Sequence, residues 1–242
     1  MSFFGELYLR STLPFLSEAV TAREVDFLAR AFADVPGPAP VVDLGCGHGR
    51  HAARLNGAGP LAGRVIGLEL DALSLAVRRP GFPVVQGDLR ALPFREASFA
   101  GAYAWYSTLA AFTDAEHVHI LREVARVLRP GGRWVFQTVP YERLAASPRA
   151  AFQRTLPDGS VLEEVSHFDT RTGRDEGLRT LTTPEGRCLR ASYSLRYYPL
   201  ADWVRLLEST GFSVAWVHGG LDGEPLGPQS TDLIVGAERR HG

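Results

Sequence analysis

The run Val41-Val42-Asp43-Leu44-Gly45-Cys46-Gly47-His48-Gly49-Arg50-His51-Ala52 constrains this chain more than any other segment. Apolar residues around one acid read as a buried strand, and glycines at 45, 47 and 49 permit the positive φ of a tight strand-to-helix turn. Bare backbone there also lets a ligand approach closely. The spacing G-x-G-x-G is one residue tighter than the G-x-G-x-x-G of dinucleotide folds. A carboxylate beside such a loop repels a pyrophosphate and attracts a cation, so Asp43 argues against a phosphate at this helix start.

Residues 1–35 are expected to form a helical lid. Thr21-Ala22-Arg23-Glu24 has the form of a capping box, and Val25, Leu28 and Phe32 follow at helical spacing to about Ala33, before Pro36, Pro38 and Pro40 end the helix. Strands are expected at 41–44, 65–69, 84–88, 99–105 and 133–139, with helices at about 50–55, 71–78 and 114–128 between them. Thr113-Asp114-Ala115-Glu116 is a second capping box, and Pro130-Gly131-Gly132 stops the helix it opens. Such alternation gives a parallel sheet with ligands above the carboxyl ends of its strands. After Tyr141 the pattern changes: 160–168, 176–183 and 189–198 read as strands joined by short turns, an antiparallel meander inserted over 141–198. A helix from Leu200 to Gly211 and strands at 213–217 and 231–236 complete an α/β fold, a seven-stranded, mostly parallel sheet flanked by helices in one domain over 1–242.

Asp43, Glu69 and Asp88 end the first three strands, which lines them along one rim beside the glycine loop. Glu69 can accept from vicinal ribose hydroxyls, and Asp88 from an exocyclic amine while the Leu89 amide donates to a ring nitrogen. With Asp43 facing an ammonium, the three acids suit a ligand with ammonium, ribose and adenine in line, as in S-adenosylmethionine. The glycine run resembles the first motif of the class I, Rossmann-like S-adenosylmethionine-dependent methyltransferases. Gly87-Asp88-Leu89 with Leu92-Pro93-Phe94, and Leu128-Arg129-Pro130-Gly131-Gly132, resemble two further segments of that family. The similarity covers about 41–139, with one departure at Ala100, where the family usually has an aspartate. Phe3 to Leu9 and the loop at 219–223 look like a bacterial small-molecule subgroup. The resemblance implies that S-adenosyl-L-methionine is the cofactor. It is held by Asp43, Gly45, Cys46, Gly47, Glu69, Leu70, Asp88, Leu89 and Ala104, with Tyr8 closing over it and the insertion covering the acceptor.

Composition narrows the alternatives. The chain has 242 residues, 45% hydrophobic content and a net charge of -1, without the cationic field that draws proteins onto nucleic acid. No export signal and no apolar run of membrane-spanning length are read, so a cytoplasmic monomer or homodimer with a small-molecule acceptor is expected. Cys46 and Cys188 are far apart, and His117 and His119 fall on different helix faces, so no metal site is expected. His48 and His51 read as structural, because a helix start disfavours a charged imidazole. No catalytic residue stands out; Tyr106, where the fourth strand emerges, and His167, in the insertion, are the candidates. Tyr193, Tyr197 and Tyr198 are candidates for the acceptor wall. Displacement at a sulfonium needs alignment more than a base, which favours an amine over a hydroxyl acceptor. Runner-up readings are a methyltransferase of tRNA or protein, a non-catalytic S-adenosylmethionine-binding module, and a nucleotide-dependent oxidoreductase, which the loop spacing and Asp43 oppose.

Overall fold

The computed structural model describes residues 5–35, 37–79 and 81–241; Phe3 and Phe4 of the expected lid, and Pro36 after it, lie outside the described residues. Two helices open the chain, α1 (Glu6–Thr12) and α2 (Glu18–Ala31). Next come β1 (Val41–Leu44), α3 (Arg50–Gly57), β2 (Val65–Glu69), α4 (Ala72–Ala76), β3 (Val84–Gln86), β4 (Phe99–Ala104), α5 (Asp114–Val127) and β5 (Leu128–Thr138). The insertion is α6 (Tyr141–Ala146), β6 (Arg149–Thr155), β7 (Val161–Asp169), β8 (Arg174–Thr182) and β9 (Cys188–Arg196). The chain closes with α7 (Leu200–Ser209), β10 (Phe212–His218) and β11 (Leu233–Arg239).

Seven strands form one sheet in the order β3-β2-β1-β4-β5-β11-β10, in which only β11 runs against its neighbours. The order changes direction between β1 and β4, and a ligand crevice opens above their carboxyl ends. Both strands are buried along their whole length, as apolar central strands covered on two faces must be. On one face α5 and α7 bury Ile120, Val124, Trp203 and Leu207 against Trp134 and Phe136. On the other, α2 and α3 bury Phe27, Leu28, Phe32 and Leu55 against Val41 and Tyr103.

The second sheet, β6-β7-β8-β9, is antiparallel throughout. It has four strands where the sequence predicts three. Arg149–Thr155 shows no alternation and is exposed at every residue, so it joins β7 as an edge strand that no apolar pattern announces. The insertion has its own core of Leu156, Leu162, Leu181, Leu189 and Ala191, completed by Leu7 of α1. Arg187 pairs with Glu6 at 2.7 Å and Arg10 with Asp158 at 3.2 Å, while Arg179 donates to Ser11 Oγ at 3.1 Å. The N-terminal segment is therefore divided: α1 sits on the insertion and α2 on the main sheet.

The box at Thr113 and Glu116 caps α5 as expected, but the one at Thr21 does not form. Helix α2 begins at Glu18, with Ser17 Oγ accepting the Val20 N–H at 3.2 Å. Thr21 and Glu24 are buried inside it, turned toward Arg50.

Gly49 caps α3 in the left-handed region at φ 78°, and a Cβ there would meet the Phe82 ring at 2.1 Å. Gly49→Ala is expected to cost about 2 kcal/mol from the backbone and the displaced ring. Thermal unfolding followed by circular dichroism should then show a Tm lower by about 4–8 °C; an unchanged Tm would contradict this account of the loop.

Candidate functional site

The three acids named from the sequence stand at adjacent strand ends, Asp43 within β1, Glu69 closing β2 and Asp88 just beyond β3. Their settings differ. Asp43 is 2% exposed, and its Oδ2 has no hydrogen-bond partner among the described residues. Burial pushes its carboxyl up to about 7, although the neighbouring Tyr103 hydroxyl and Arg50 guanidinium pull the other way. Glu69 is anchored: Oε2 accepts the Gly47 N–H and Oε1 the Asp71 N–H, each at 2.8 Å. A carboxylate offers about four acceptor positions, so two remain for vicinal hydroxyls. Asp88 is already shared, since Arg90 donates to it through Nε at 3.0 Å and Nη2 at 2.6 Å and also reaches Glu116 at 2.8 Å. That guanidinium holds the Asp88 carboxyl below the usual carboxylate range. An amine reaching Asp88 must share it with Arg90.

The loop is fastened to β2 by Gly45 and Cys46, whose N–H groups both donate to Leu68 O, at 2.8 and 2.9 Å. Gly47, at φ 56°, has open space where a Cβ would stand, whereas Gly45 lies under Thr108. Cys46 is buried beside Gly67, and burial pushes its thiol up. Leu89 and Ala104 are buried at their strand ends, and Leu70, 55% exposed, offers an apolar surface that a flat ring can cover.

Beyond β4 the chain turns through Tyr106 at φ 59° and Ser107 at φ 56°, two successive non-glycine residues in the left-handed region. Gln137 secures them: its Oε1 accepts the Tyr106 N–H at 2.8 Å and its carbonyl the Ser107 N–H at 3.3 Å. Strain of this kind persists where a side chain must be held in place for a purpose. The Tyr106 side chain is 45% exposed. Tyr8 lies within electrostatic reach of Tyr106, Arg179, Arg50 and Glu69, and burial pushes its phenol up to about 12. Tyr8 of α1 thus lies near Glu69 of the rim. His167 does not join this group; it is exposed on the face of β7 opposite Glu164 and Ser166. Tyr198 is turned into the main core against His117 and Trp203, whereas the Tyr193 hydroxyl donates to Glu164 at 2.8 Å on the inner face of the insertion. Tyr197 is buried near Ser107, Asp175 and Tyr8.

Behind the glycine loop lies an ionic cluster that the sequence reading missed. Glu24 Oε2 accepts from Arg50 Nη1 and, at 3.1 Å, from His51 Nε2, while Oε1 accepts from Trp105 Nε1 at 3.1 Å. Burial would raise the Glu24 carboxyl, but the bonds from His51 and Arg50 outweigh it and bring it down to about 2. Burial, only partly offset by Glu24, lowers His51 to about 4, so the ring is neutral at pH 7 with its proton on Nε2. Burial lowers His48 to about 4 as well. One signal was available: Thr21, Glu24 and Leu28 share the buried face of α2, where an unpaired acid is costly.

Residues 41–132 match the sequence profile of a family described as a methyltransferase domain. The fatty-acid O-methyltransferase of Mycolicibacterium smegmatis is 29% identical over 190 residues, covering 72% of this chain but only 61% of that enzyme, so the chain spans less than two thirds of that relative. The CcbJ methyltransferase from Streptomyces caelestis has the same fold, with a TM-score of 0.78 over 90% of both chains at 21% identity. CalS10, an amino pentose methyltransferase from Micromonospora echinaspora solved with S-adenosylmethionine bound, gives a TM-score of 0.70 over 99% of both chains at 22% identity. The fold is that of these S-adenosylmethionine-dependent methyltransferase structures, and the profile match over 41–132 takes in the glycine loop, Glu69 and Asp88. The rim fits the cofactor: Asp43 has a buried oxygen wanting a donor, Glu69 keeps acceptor positions free, and nothing fills the space over Gly47.

Glu24→Gln leaves Arg50 buried without its counter-charge. Removing one partner of a buried ion pair costs about 3–5 kcal/mol, and the urea midpoint followed by tryptophan fluorescence should fall accordingly. An unchanged midpoint would show that the cluster does not hold α2 in place.

Proposed function

We propose that the chain transfers a methyl group from S-adenosyl-L-methionine to a nitrogen or oxygen of a small molecule by direct displacement. The buried, unpartnered Oδ2 of Asp43 beside the glycine loop carries this reading. A ligand with an ammonium satisfies that oxygen, whereas a phosphate leaves it worse off. When bound, the cofactor supplies a methyl group on a good leaving group. The chain's residues supply alignment and the exclusion of water. In this reading Asp43, Gly45 and Gly47 hold the amino-acid end, Glu69 the ribose, and Leu70, Asp88 and Leu89 the adenine, with Cys46 and Ala104 as walls. Residues 1–35 serve as the lid through Tyr8, and 141–198 cover the acceptor, all within one domain.

Tyr106 orients the acceptor. Partial desolvation of this half-exposed side chain raises its phenol above the ordinary value, so it acts as a neutral hydroxyl and not as a base. His167, exposed on the outer face of β7, takes no part. The net charge of -1 supports a small molecule over an RNA acceptor, as do the fatty acid and amino pentose in the names of two relatives. Free cysteines at 46 and 188 support a reducing cytoplasm as the location.

Isothermal calorimetry should show binding of S-adenosylhomocysteine and none of NAD; the reverse result overturns the proposal. The pH dependence adds a sharper check. Asp43 stands at about 7, above its ordinary value, so it is protonated in the free protein below that pH. It must lose that proton to receive an ammonium. Affinity for S-adenosylhomocysteine should therefore fall as pH drops below 7, by up to about tenfold per unit, with proton release visible in buffers of different ionisation enthalpy. Asp43→Asn should abolish the proton release, and an affinity flat between about pH 5 and pH 8 would remove Asp43 from its assigned role.

A further inference from the structure

Arg50 opens α3 and is 5% exposed. Its Nη1 is used twice, donating to Glu24 Oε2 and to Thr21 Oγ1. Its Nη2 is buried with no hydrogen-bond partner among the described residues. A guanidinium N–H can only donate, and a buried charged donor without an acceptor carries a large desolvation cost. The bonds that Glu24 accepts come from Nη1, His51 and Trp105, and none comes from Nη2. The guanidinium carbon stands 5.8 Å from the centre of the Tyr106 ring, and Arg50 acts electrostatically on Asp43 and Tyr8. Among the described residues, the acceptor Asp43 Oδ2 and the donor Arg50 Nη2 are thus buried without partners on side chains that act electrostatically on one another, with the Tyr103 hydroxyl also beside Asp43.

We infer that Arg50 Nη2 binds the α-carboxylate of the cofactor, so that Asp43 and Arg50 together recognise a zwitterionic amino-acid head. An α-amino acid presents an ammonium donor and a carboxylate acceptor one carbon apart, and one such group satisfies both atoms at once. Glu24 is the positioning residue: the guanidinium is a rigid planar fork, so fixing Nη1 fixes the direction of Nη2. The cluster that fastens α2 to α3 thereby also aims a donor. The inference rests on the proposed use of S-adenosylmethionine and deepens it by dividing the head of the cofactor between two residues.

Calorimetry with three ligands tests it without any turnover: S-adenosylhomocysteine; S-adenosyl-3-thiopropylamine, which lacks only the carboxylate; and 5′-methylthioadenosine, which lacks the whole amino acid. The unaltered protein should bind S-adenosylhomocysteine about 30-fold more tightly than the decarboxylated analogue, the worth of one charge-assisted hydrogen bond. Arg50→Lys keeps a cation for Glu24 and removes the fork, so the preference should fall to about threefold or less with affinity for 5′-methylthioadenosine unchanged. Equal losses for all three ligands would mean a merely structural arginine and overturn the inference. If Arg50→Lys does not fold, the Glu24→Gln, Arg50→Gln double variant, which buries no charge, is held to the same comparison. A protein that binds S-adenosylhomocysteine without preferring its carboxylate overturns this inference alone; one that binds no S-adenosylhomocysteine overturns the methyltransferase proposal with it.

Discussion

One buried carboxylate, that of Glu24, sets the relation between α2 and the glycine loop. A charge removed from water persists only when its lone pairs are met, and Glu24 meets them from α3 and from the turn after β4. Buried ion pairs add little net stability over apolar packing, but they tolerate few alternative geometries. The bonds of Glu24 place α2 across the amino end of α3 and turn the Trp105 ring inward, while burial keeps His51 neutral against the pull of the carboxylate. The glycine loop is therefore held from behind by the cluster and from beside by Glu69 through the Gly47 amide.

The same rim keeps three carboxylates in three different states. Asp43 is desolvated and shifted upward, Glu69 is tethered to backbone amides at both oxygens, and Asp88 is neutralised by Arg90. Residue type alone assigns them one property, an acidic strand end. Environment separates them into a buried acid with one oxygen unpaired among the described residues, a fixed acceptor and a shared ion pair. The differences follow from depth: the central strand β1 is covered on both faces, whereas β3 lies at the sheet edge beside solvent.

How far the sequence could be read depended on how local each signal was. The succession of strands and helices up to β5, the glycine turn, the Thr113 cap and the places of Asp43 and Glu69 at strand ends follow from periodicity and spacing within short windows, and the structure agrees. The Thr21 cap failed because its pattern is also that of two polar residues on one helix face, and the partner that claims them, Arg50, lies far along the chain. Strand β6 was missed because an exposed edge strand needs no apolar alternation. Arg90 was one turn from Asp88 and still invisible, since nothing in the sequence says which way a long cation folds. His167 on β7 and Tyr193 on β9 flank β8 in one sheet, and only the register decides that one faces water and the other Glu164.

Helix α1 contributes Leu7 to the core of the insertion and is tied to it through Glu6, Arg10 and Ser11, while α2 stays with the main sheet. Tyr8 therefore belongs to the same body as Tyr193 and Glu164, and the short stretch from Leu13 to Ser17 is its link to α2. On the proposed reading, an opening that moved α1 together with the second sheet would lift Tyr8 and uncover the inner face of that sheet at once. Spent cofactor cannot be exchanged behind a retained acceptor if both leave through one door. On the proposed reading, an acceptor with several methylatable positions would be modified distributively, one methyl group per visit, with partly methylated products released between turnovers.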